Sequence, residues 1–397
     1  MISFINNFYY QAANRGSEVF LYQFNENNEV KEYTFSEVLA ACRKIANYLK
    51  SNYREGSHIG LMGKMSANWL IFDLAIFTAQ MVSVPIPPRS PMETREIIDH
   101  SKIVAIFMED IKDVDFFQIL PENIEIIASN LPIHHTPLAN IVLNVKELAV
   151  LPQPSPSQMA TIMYSHNATH PPKGAIFNYQ ALTEVALRLK DLYKFDKKDR
   201  AFCFNSYSLP FMRSHLELAG LVSGFKLYFA KQEENFLNNL KLIRPTILIL
   251  PHWLNLKHQI GSNFKEEHFY QKIKIIRNYL INNHLKNIGL NKLRLAIHGG
   301  SYIPGQVVDW YKQLKINLWE TYGMSENLGY SHISRPGCVG DGLYGAPGVR
   351  QRLTSEGELE IKSPGNFIGY YNYSLVNSIY YTNDQYFKTG DMGYYDS

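Results

Sequence analysis

The segment Tyr164-Ser165-His166-Asn167-Ala168-Thr169-His170-Pro171-Pro172-Lys173-Gly174-Ala175 concentrates hydroxyls, a cation and turn-forming residues between an apolar run and an apolar helical pattern. A loop that grips phosphate needs backbone amides aimed at anionic oxygens, close approach of the chain, hydroxyl donors and a positive charge. Asn167 tolerates a positive φ. His170 is harder to place wherever a conformation open only to glycine is required. The segment therefore reads either as a phosphate-holding loop or as a degenerated one that no longer binds a triphosphate. Read as a metal site, His166 and His170 have no evident third ligand. Gly340-Asp-Gly342-Leu-Tyr-Gly345 fits a dinucleotide glycine pattern, but it precedes Ala-Pro-Gly rather than a helix, so the required context is missing. No Gly-x-Ser-x-Gly elbow, His-Glu-x-x-His pair or Walker loop occurs.

Further along stand Leu318-Trp-Glu-Thr-Tyr322-Gly323-Met-Ser325-Glu326-Asn327 and Thr389-Gly390-Asp391. With the loop above, in this order, they resemble the motifs of the adenylate-forming (AMP-binding) enzymes, and most nearly the N-terminal domain of long-chain fatty-acid–CoA ligases. The resemblance implies that Glu326 holds the Mg²⁺ that travels with ATP, and that Ser325 touches the α-phosphate. It also implies that the Tyr322 ring lies against adenine and that Asp391 grips the ribose hydroxyls. The family loop reads roughly Tyr-Thr-Ser-Gly-Thr-Thr-Gly-x-Pro-Lys-Gly-Val. Tyr164, Thr169, Pro172, Lys173 and Gly174 match it, and Ser165 is a fair substitute. Asn167 and His170 replace both central glycines, and His166 and Ala168 replace two hydroxyl positions. Carried over in this way, Thr169, Lys173 and Glu326 are the expected catalytic residues. Ser165, Gly300, Ser301, Tyr322, Gly323, Ser325 and Asp391 are the expected nucleotide-binding ones.

Leu293-Arg-Leu-Ala-Ile-His-Gly-Gly-Ser-Tyr-Ile-Pro304 resembles the family's Gly-Gly-Ala-Pro-Leu element, whose backbone, here at Gly299, Gly300 and Ser301, lines the adenine and acyl pockets. Arg244-Pro245-Thr246 and the apolar run after it resemble the strand that leads toward the acyl tunnel. The segment ending at Arg213 departs from the family's Pro-Leu-x-His-x-x-Glu-Arg, with Ser206, Tyr207, Leu209 and Met212 at its proline, leucine, histidine and glutamate. The implied activity is ATP-dependent activation of a long- or medium-chain fatty carboxylate to acyl-AMP, normally followed by transfer to CoA. The cofactors and co-substrates are then ATP, Mg²⁺ and CoA, and the partners a fatty acid or acyl-adenylate. The alternative is a pseudoenzyme that serves as a nucleotide- or acyl-binding sensor or scaffold. In the family a small C-terminal domain, carrying a lysine that bridges the carboxylate and α-phosphate, follows shortly after Thr-Gly-Asp-x-Gly-Tyr. The sequence ends at Ser397, so the expectation is that this domain is absent, with a separate C-terminal piece or acyl acceptor as a partner.

The elements that must hold these residues follow an α/β rhythm. Val38, Leu39, Cys42, Ile45, Ala46 and Leu49 recur at helical spacing, with Ser36 as the expected N-cap. His58–Met62, Val82–Ile86, Ile103–Met108 and Ile124–Ile127 read as strands, with a buried helix over Asn68–Gln80. After the Pro/Ser-rich stretch 151–157, strands at Met159–Tyr164, Ala201–Asn205, Lys226–Phe229 and Ile247–Leu250 alternate with helices at Tyr179–Tyr193 and Leu216–Ser223. Alternation of this kind predicts mainly parallel sheets. The expected division is a first α/β subdomain over 1–157, a second over 158–336 carrying the nucleotide and acyl site, and a smaller β-rich subdomain over 337–397.

Composition sets the outer limits. A chain of 397 residues, 46% hydrophobic and 19% charged, is globular and can bury a large core. A formal net charge of +3 without basic runs gives no argument for nucleic acid. Cys42, Cys203 and Cys338 are odd in number and far apart, which fits reduced thiols in a cytoplasmic protein. The start lacks a signal-peptide pattern, and the longest apolar stretch, Trp69–Val84, is broken by Asp73 and Gln80. The expected membrane contact is at most peripheral.

Overall fold

Ile247–Leu250 is buried along its whole length, the pattern of a parallel strand covered by helices on both faces. It lies in the middle of a nine-stranded sheet in the computed structural model, which describes residues 2–25, 27–111, 115–129, 131, 133–165, 172–204, 206–230, 236–261, 274–335, 337–339, 342–373 and 377–395. In spatial order this sheet runs Tyr344–Gly345, His332–Ile333, Leu318–Tyr322, Leu295–Gly299, Ile247–Leu250, Arg200–Cys203, Lys226–Phe229, Val19–Phe24 and Val30–Thr34. From Leu318–Tyr322 to Val19–Phe24 every pairing is parallel.

An eight-stranded sheet runs Gly369–Tyr370, Gly174–Asn178, Met159–Tyr164, Val82–Pro85, His58–Gly63, Ala105–Glu109, Glu125–Ala128 and Thr136–Pro137. It is parallel except for Gly174–Asn178, which pairs antiparallel with both of its neighbours. A third, antiparallel sheet joins Arg350–Leu353, Glu358–Lys362 and Phe387–Met392. This is the mixed α/β architecture with parallel sheets that the alternation implied. Sheet membership crosses chain order, however. Val19–Phe24 and Val30–Thr34 join strands from beyond residue 200, while Met159–Tyr164 and Gly174–Asn178 complete the sheet of the preceding segment.

Two local expectations need correction. The helix Phe35–Asn52 is capped by Thr34, not by Ser36: Thr34 Oγ1 accepts from Glu37 N, and the Glu37 carboxylate accepts from Thr34 N, closing a capping box. The helix expected over Leu216–Ser223 begins earlier, at Pro210, and passes through a π-helical turn over Arg213–Leu218 before ending at Ser223.

Asp73, read from sequence as a break in an apolar stretch, is fully buried in the helix Ala67–Thr78. A bare carboxylate there would be costly to desolvate. Arg213 Nη2 meets Asp73 Oδ2 at 2.5 Å, and Ser83 Oγ donates to Asp73 Oδ1 at 2.5 Å. Arg213 also donates to Thr161 Oγ1 at 2.9 Å, which ties the π turn to the eight-stranded sheet. Among the described residues no helix is long and apolar enough to cross a membrane. The three cysteines are free thiols, and burial pushes Cys42 and Cys203 up to about 12.

Candidate functional site

Leu295–Gly299 and Leu318–Tyr322 are adjacent parallel strands, with His298 opposite Glu320 and Gly299 opposite Thr321. Both release their chains at the same sheet edge, where open parallel sheets place ligand-binding loops. Close approach explains the glycines. A Cβ on Gly323 would meet the Gly329 carbonyl carbon at 2.4 Å, and one on Gly299 would meet Thr321 Oγ1 at 2.4 Å. The turn after Tyr322 is closed by Gly329 N donating to Met324 O at 3.0 Å, and Asn327 Oδ1 accepts from Met324 N at 2.9 Å. Ser325 and Glu326 share the short 3₁₀ turn Ser325–Asn327 so formed.

Glu326 is held from two sides. Its carbonyl accepts from Phe367 N at 2.8 Å, and its carboxylate Oε1 accepts from the Tyr370 hydroxyl at 2.6 Å. Tyr370 lies on the strand Gly369–Tyr370, opposite Ala175 in Gly174–Asn178, and so beside the point where Lys173 enters that strand. Lys173 Nζ donates to the Tyr380 hydroxyl at 2.9 Å and sits over the Tyr380 and Tyr370 rings, 5.3 and 5.6 Å from their centroids. Burial, then the charge and hydrogen bond of Glu326, push the Tyr370 phenol well above its usual range, so it stays a donor. Met324, Glu326, Tyr370, Tyr380, Thr389 and Gly390 line a cleft of about 300 Å³.

The third sheet completes the cleft. Thr389 Oγ1 donates to Leu359 O at 2.7 Å, and Gly390 N donates to Glu358 Oε1 at 3.0 Å. Beyond them, exposed Asp391 accepts from the Tyr322 hydroxyl at 2.5 Å. Burial, reinforced by Asp391, raises the Tyr322 phenol. The residues expected at adenine and at ribose are therefore in direct contact with each other.

The structure thus brings Glu326, Tyr370, Thr389 and Gly390 to one cleft, with Lys173 held against its Tyr370 and Tyr380, Asp391 bonded to Tyr322 beyond it, and Gly323 and Ser325 on the adjoining turn. Gly300 and Ser301 leave the neighbouring strand end, and Ser301 Oγ donates to Pro251 O at 2.7 Å. Pro251 in turn lines a separate pocket of about 260 Å³ with Phe204, Phe236, Leu250, His252 and Leu256. The Ser165 carbonyl accepts from Arg89 Nη2 at 2.5 Å, at the end of Met159–Tyr164. Thr169, with His166 and His170, lies outside the described residues.

Sequence reasoning missed Tyr370 as the partner of Glu326, and Tyr380 as the partner of Lys173. Tyr370 had a faint signal in Gly369-Tyr-Tyr-Asn372, and Tyr380 had none. The donor set suits Mg²⁺. Among the described residues no three His, Cys, Asp or Glu side chains group as a metal cage. One carboxylate facing an open cleft, with further oxygens from phosphates, is a usual way for that hard cation to bind.

The pattern that defines the AMP-binding enzymes matches residues 8–371. The long-chain-fatty-acid–CoA ligase FadD15 of Mycobacterium bovis is 22% identical over 405 residues, covering 89% of this chain and 67% of that one. The human long-chain-fatty-acid–CoA ligase ACSBG2 is 22% identical, covering 91% of this chain and 63% of that one. The malonate–CoA ligase of Arabidopsis thaliana is 35% identical over 115 residues, 26% of this chain and 19% of that one. Among solved structures, the N-terminal domain of FACL13 from Mycobacterium tuberculosis superposes with a TM-score of 0.81 at 16% identity, covering 100% of this chain and 98% of that one. Apo MatB from Rhodopseudomonas palustris gives 0.78 at 18% identity, covering 99% of this chain and 76% of that one.

Proposed function

Because the chain belongs to the AMP-binding enzyme family, we propose that it binds Mg·ATP in the cleft at Glu326 and activates a carboxylic acid as its acyl-adenylate. The observation that carries this reading is the convergence of Glu326 and Thr389-Gly390 on one cleft from separate sheets, with Lys173 hydrogen-bonded to Tyr380 of its lining. In the reaction a carboxylate oxygen attacks the α-phosphorus. The bond to the bridging oxygen breaks, and pyrophosphate leaves with the electron pair. Mg²⁺, when bound, neutralises charge on the phosphate oxygens.

The protein's own part is positional and electrostatic. Glu326 offers a fixed carboxylate to the cation. Lys173 supplies the positive charge for the phosphates, with Ser165, Thr169 and Ser325 as hydroxyl donors. The Tyr322 ring takes adenine, and Asp391 accepts from the ribose hydroxyls. Ser301, hydrogen-bonded to Pro251, stands beside the second pocket, the proposed seat of the acyl group, with Gly300 proposed to face the nucleotide. Its lining by Phe204, Phe236, Leu250 and Leu256 favours an apolar chain. Transfer to the thiol of CoA is the proposed second step.

The relatives named above are ligases of long-chain fatty acids and of malonate, and a further one from Listeria monocytogenes is a 2-succinylbenzoate ligase. The acid is therefore found by experiment. ATP–pyrophosphate exchange is measured with medium- and long-chain fatty acids, malonate and 2-succinylbenzoate. Exchange that depends on a fatty acid supports the reading. Nucleotide binding without exchange for any acid overturns it in favour of a sensor or scaffold, which the substituted loop at Asn167 and His170 would also explain.

A further inference from the structure

Phe211 and Ser214 sit where the helix begun at Pro210 widens into the π turn Arg213–Leu218. Such a turn adds a residue to the helical ladder and is frequent at functional sites. Here it lets one short stretch serve two structures. On one side Arg213 is locked to Asp73, Ser83 and Thr161 of the eight-stranded sheet and its helix. On the other, Phe211 is wedged between Gly299, at the end of its strand, and Gly329, which closes the turn that carries Glu326. A Cβ on Gly299 would meet its ring at 2.8 Å, and one on Gly329 would meet its Cα at 2.9 Å.

Ser214 fixes the same place by a hydrogen bond, donating from Oγ to Leu328 O at 2.8 Å. Burial lowers His215 to about 3, so its ring is neutral. With the proton on Nδ1 it donates to Phe211 O at 3.0 Å; Ser214 Oγ lies as far from that carbonyl, 3.0 Å, and closer to Leu328 O, at 2.8 Å. Leu328 itself has φ +58°, followed by Gly329 at +67°. A leucine in the left-handed region is strained, and such strain persists only where the surroundings impose it.

We propose that Ser214 and Phe211 are positioning residues that hold the strained Leu328–Gly329 turn, and through it set Glu326 where its carboxylate meets the divalent cation of a nucleoside triphosphate. The inference rests on the nucleotide reading above. It adds that the metal site is anchored through the π turn to the buried Arg213–Asp73 pair, in the opposite sheet layer.

The test is Ser214→Ala in the full chain, with calorimetric titration of Mg·ATP and, separately, of AMP without metal. Thermal unfolding is recorded alongside. The expected result is a Kd for Mg·ATP raised about fivefold to tenfold, as for loss of one buried hydrogen bond, with AMP binding retained. Phe211→Leu, which removes the wedge and keeps the hydroxyl, should produce the same metal-selective loss. Equal losses for both ligands, or no loss in either variant, overturn the positioning role and leave the nucleotide reading standing. A wild-type chain that binds neither ligand removes the nucleotide reading, and this inference with it.

Discussion

Tyr370 donates its hydroxyl to Glu326 Oε1 at 2.6 Å, so a carboxylate on a turn of the nine-stranded sheet is held by the edge strand of the eight-stranded one. The separate backbone bond from Phe367 N keeps the turn itself in place. Tyr370→Phe should therefore leave the fold intact and free the carboxylate. We expect Mg·ATP affinity to fall by about 1.5–3 kcal/mol, as for a hydrogen bond to a charged group, in calorimetric titration. Unchanged affinity would mean that the phenol does not orient Glu326.

Among the described residues Lys173 is held by the Tyr380 hydroxyl and two aromatic faces rather than by a carboxylate. Lys173→Met keeps the length of the side chain and removes its charge. ATP affinity should fall by about 2 kcal/mol, with AMP affinity affected much less, because the lost charge faced phosphates that AMP lacks. Equal losses for the two nucleotides would place Lys173 elsewhere in the reaction.

Gly323 is fixed by space, not by a positive φ: an added methyl would run into the Gly329 backbone at 2.4 Å. Gly323→Ala must push the turn open and move Glu326. Overpacking of this kind costs about 1–3 kcal/mol, which chemical denaturation would register. The rise in melting temperature caused by Mg·ATP should also disappear.

The buried Arg213–Asp73 pair predicts two different outcomes. Asp73→Ala strands a guanidinium in the core and should cost about 3–5 kcal/mol in denaturant unfolding. Glu217, 3.3 Å from Arg213, behaves otherwise. Burial, then the neighbouring Asp73, push its carboxyl well above the usual carboxylate range, so the folded state keeps a proton that the unfolded state releases. Its contribution is complete below about pH 4.5 and is lost as pH rises toward the folded value, at about 1.4 kcal/mol per unit. Glu217→Gln should remove that downward slope and leave the protein more stable than wild type at pH 7. A variant with the wild-type slope would show that Glu217 is ionised in the fold.

Much of the fold was legible because parallel strands are short apolar runs between helical periods. Met159–Tyr164, Tyr179–Tyr193, Lys226–Phe229 and Ile247–Leu250 fall where the sequence pattern places them. Sheet membership was not legible, since pairing is non-local: Val19–Phe24 finds its partner in Lys226–Phe229, and no local pattern encodes that. Thr34 as the cap was available from Thr-x-x-Glu, and Ser36 hid it only by being a second hydroxyl at the helix start. Glu326 and Asp391 stood out by motif. Tyr370 and Tyr380 reach the site only once the edge strand and the short helix Asn377–Tyr380 are folded against it. The π turn was invisible, because Arg213 and Glu217 at i and i+4 read like any helical ion pair.

Glu326 is the residue proposed to hold Mg·ATP, and calorimetric titration of Mg·ATP into the wild-type chain and into Glu326→Ala tests that role. Saturable wild-type binding that Glu326→Ala abolishes, or weakens at least tenfold, about 1.4 kcal/mol, is the predicted result. Equal affinity in the two proteins would contradict the metal role of Glu326, and absence of wild-type binding would contradict the nucleotide site itself.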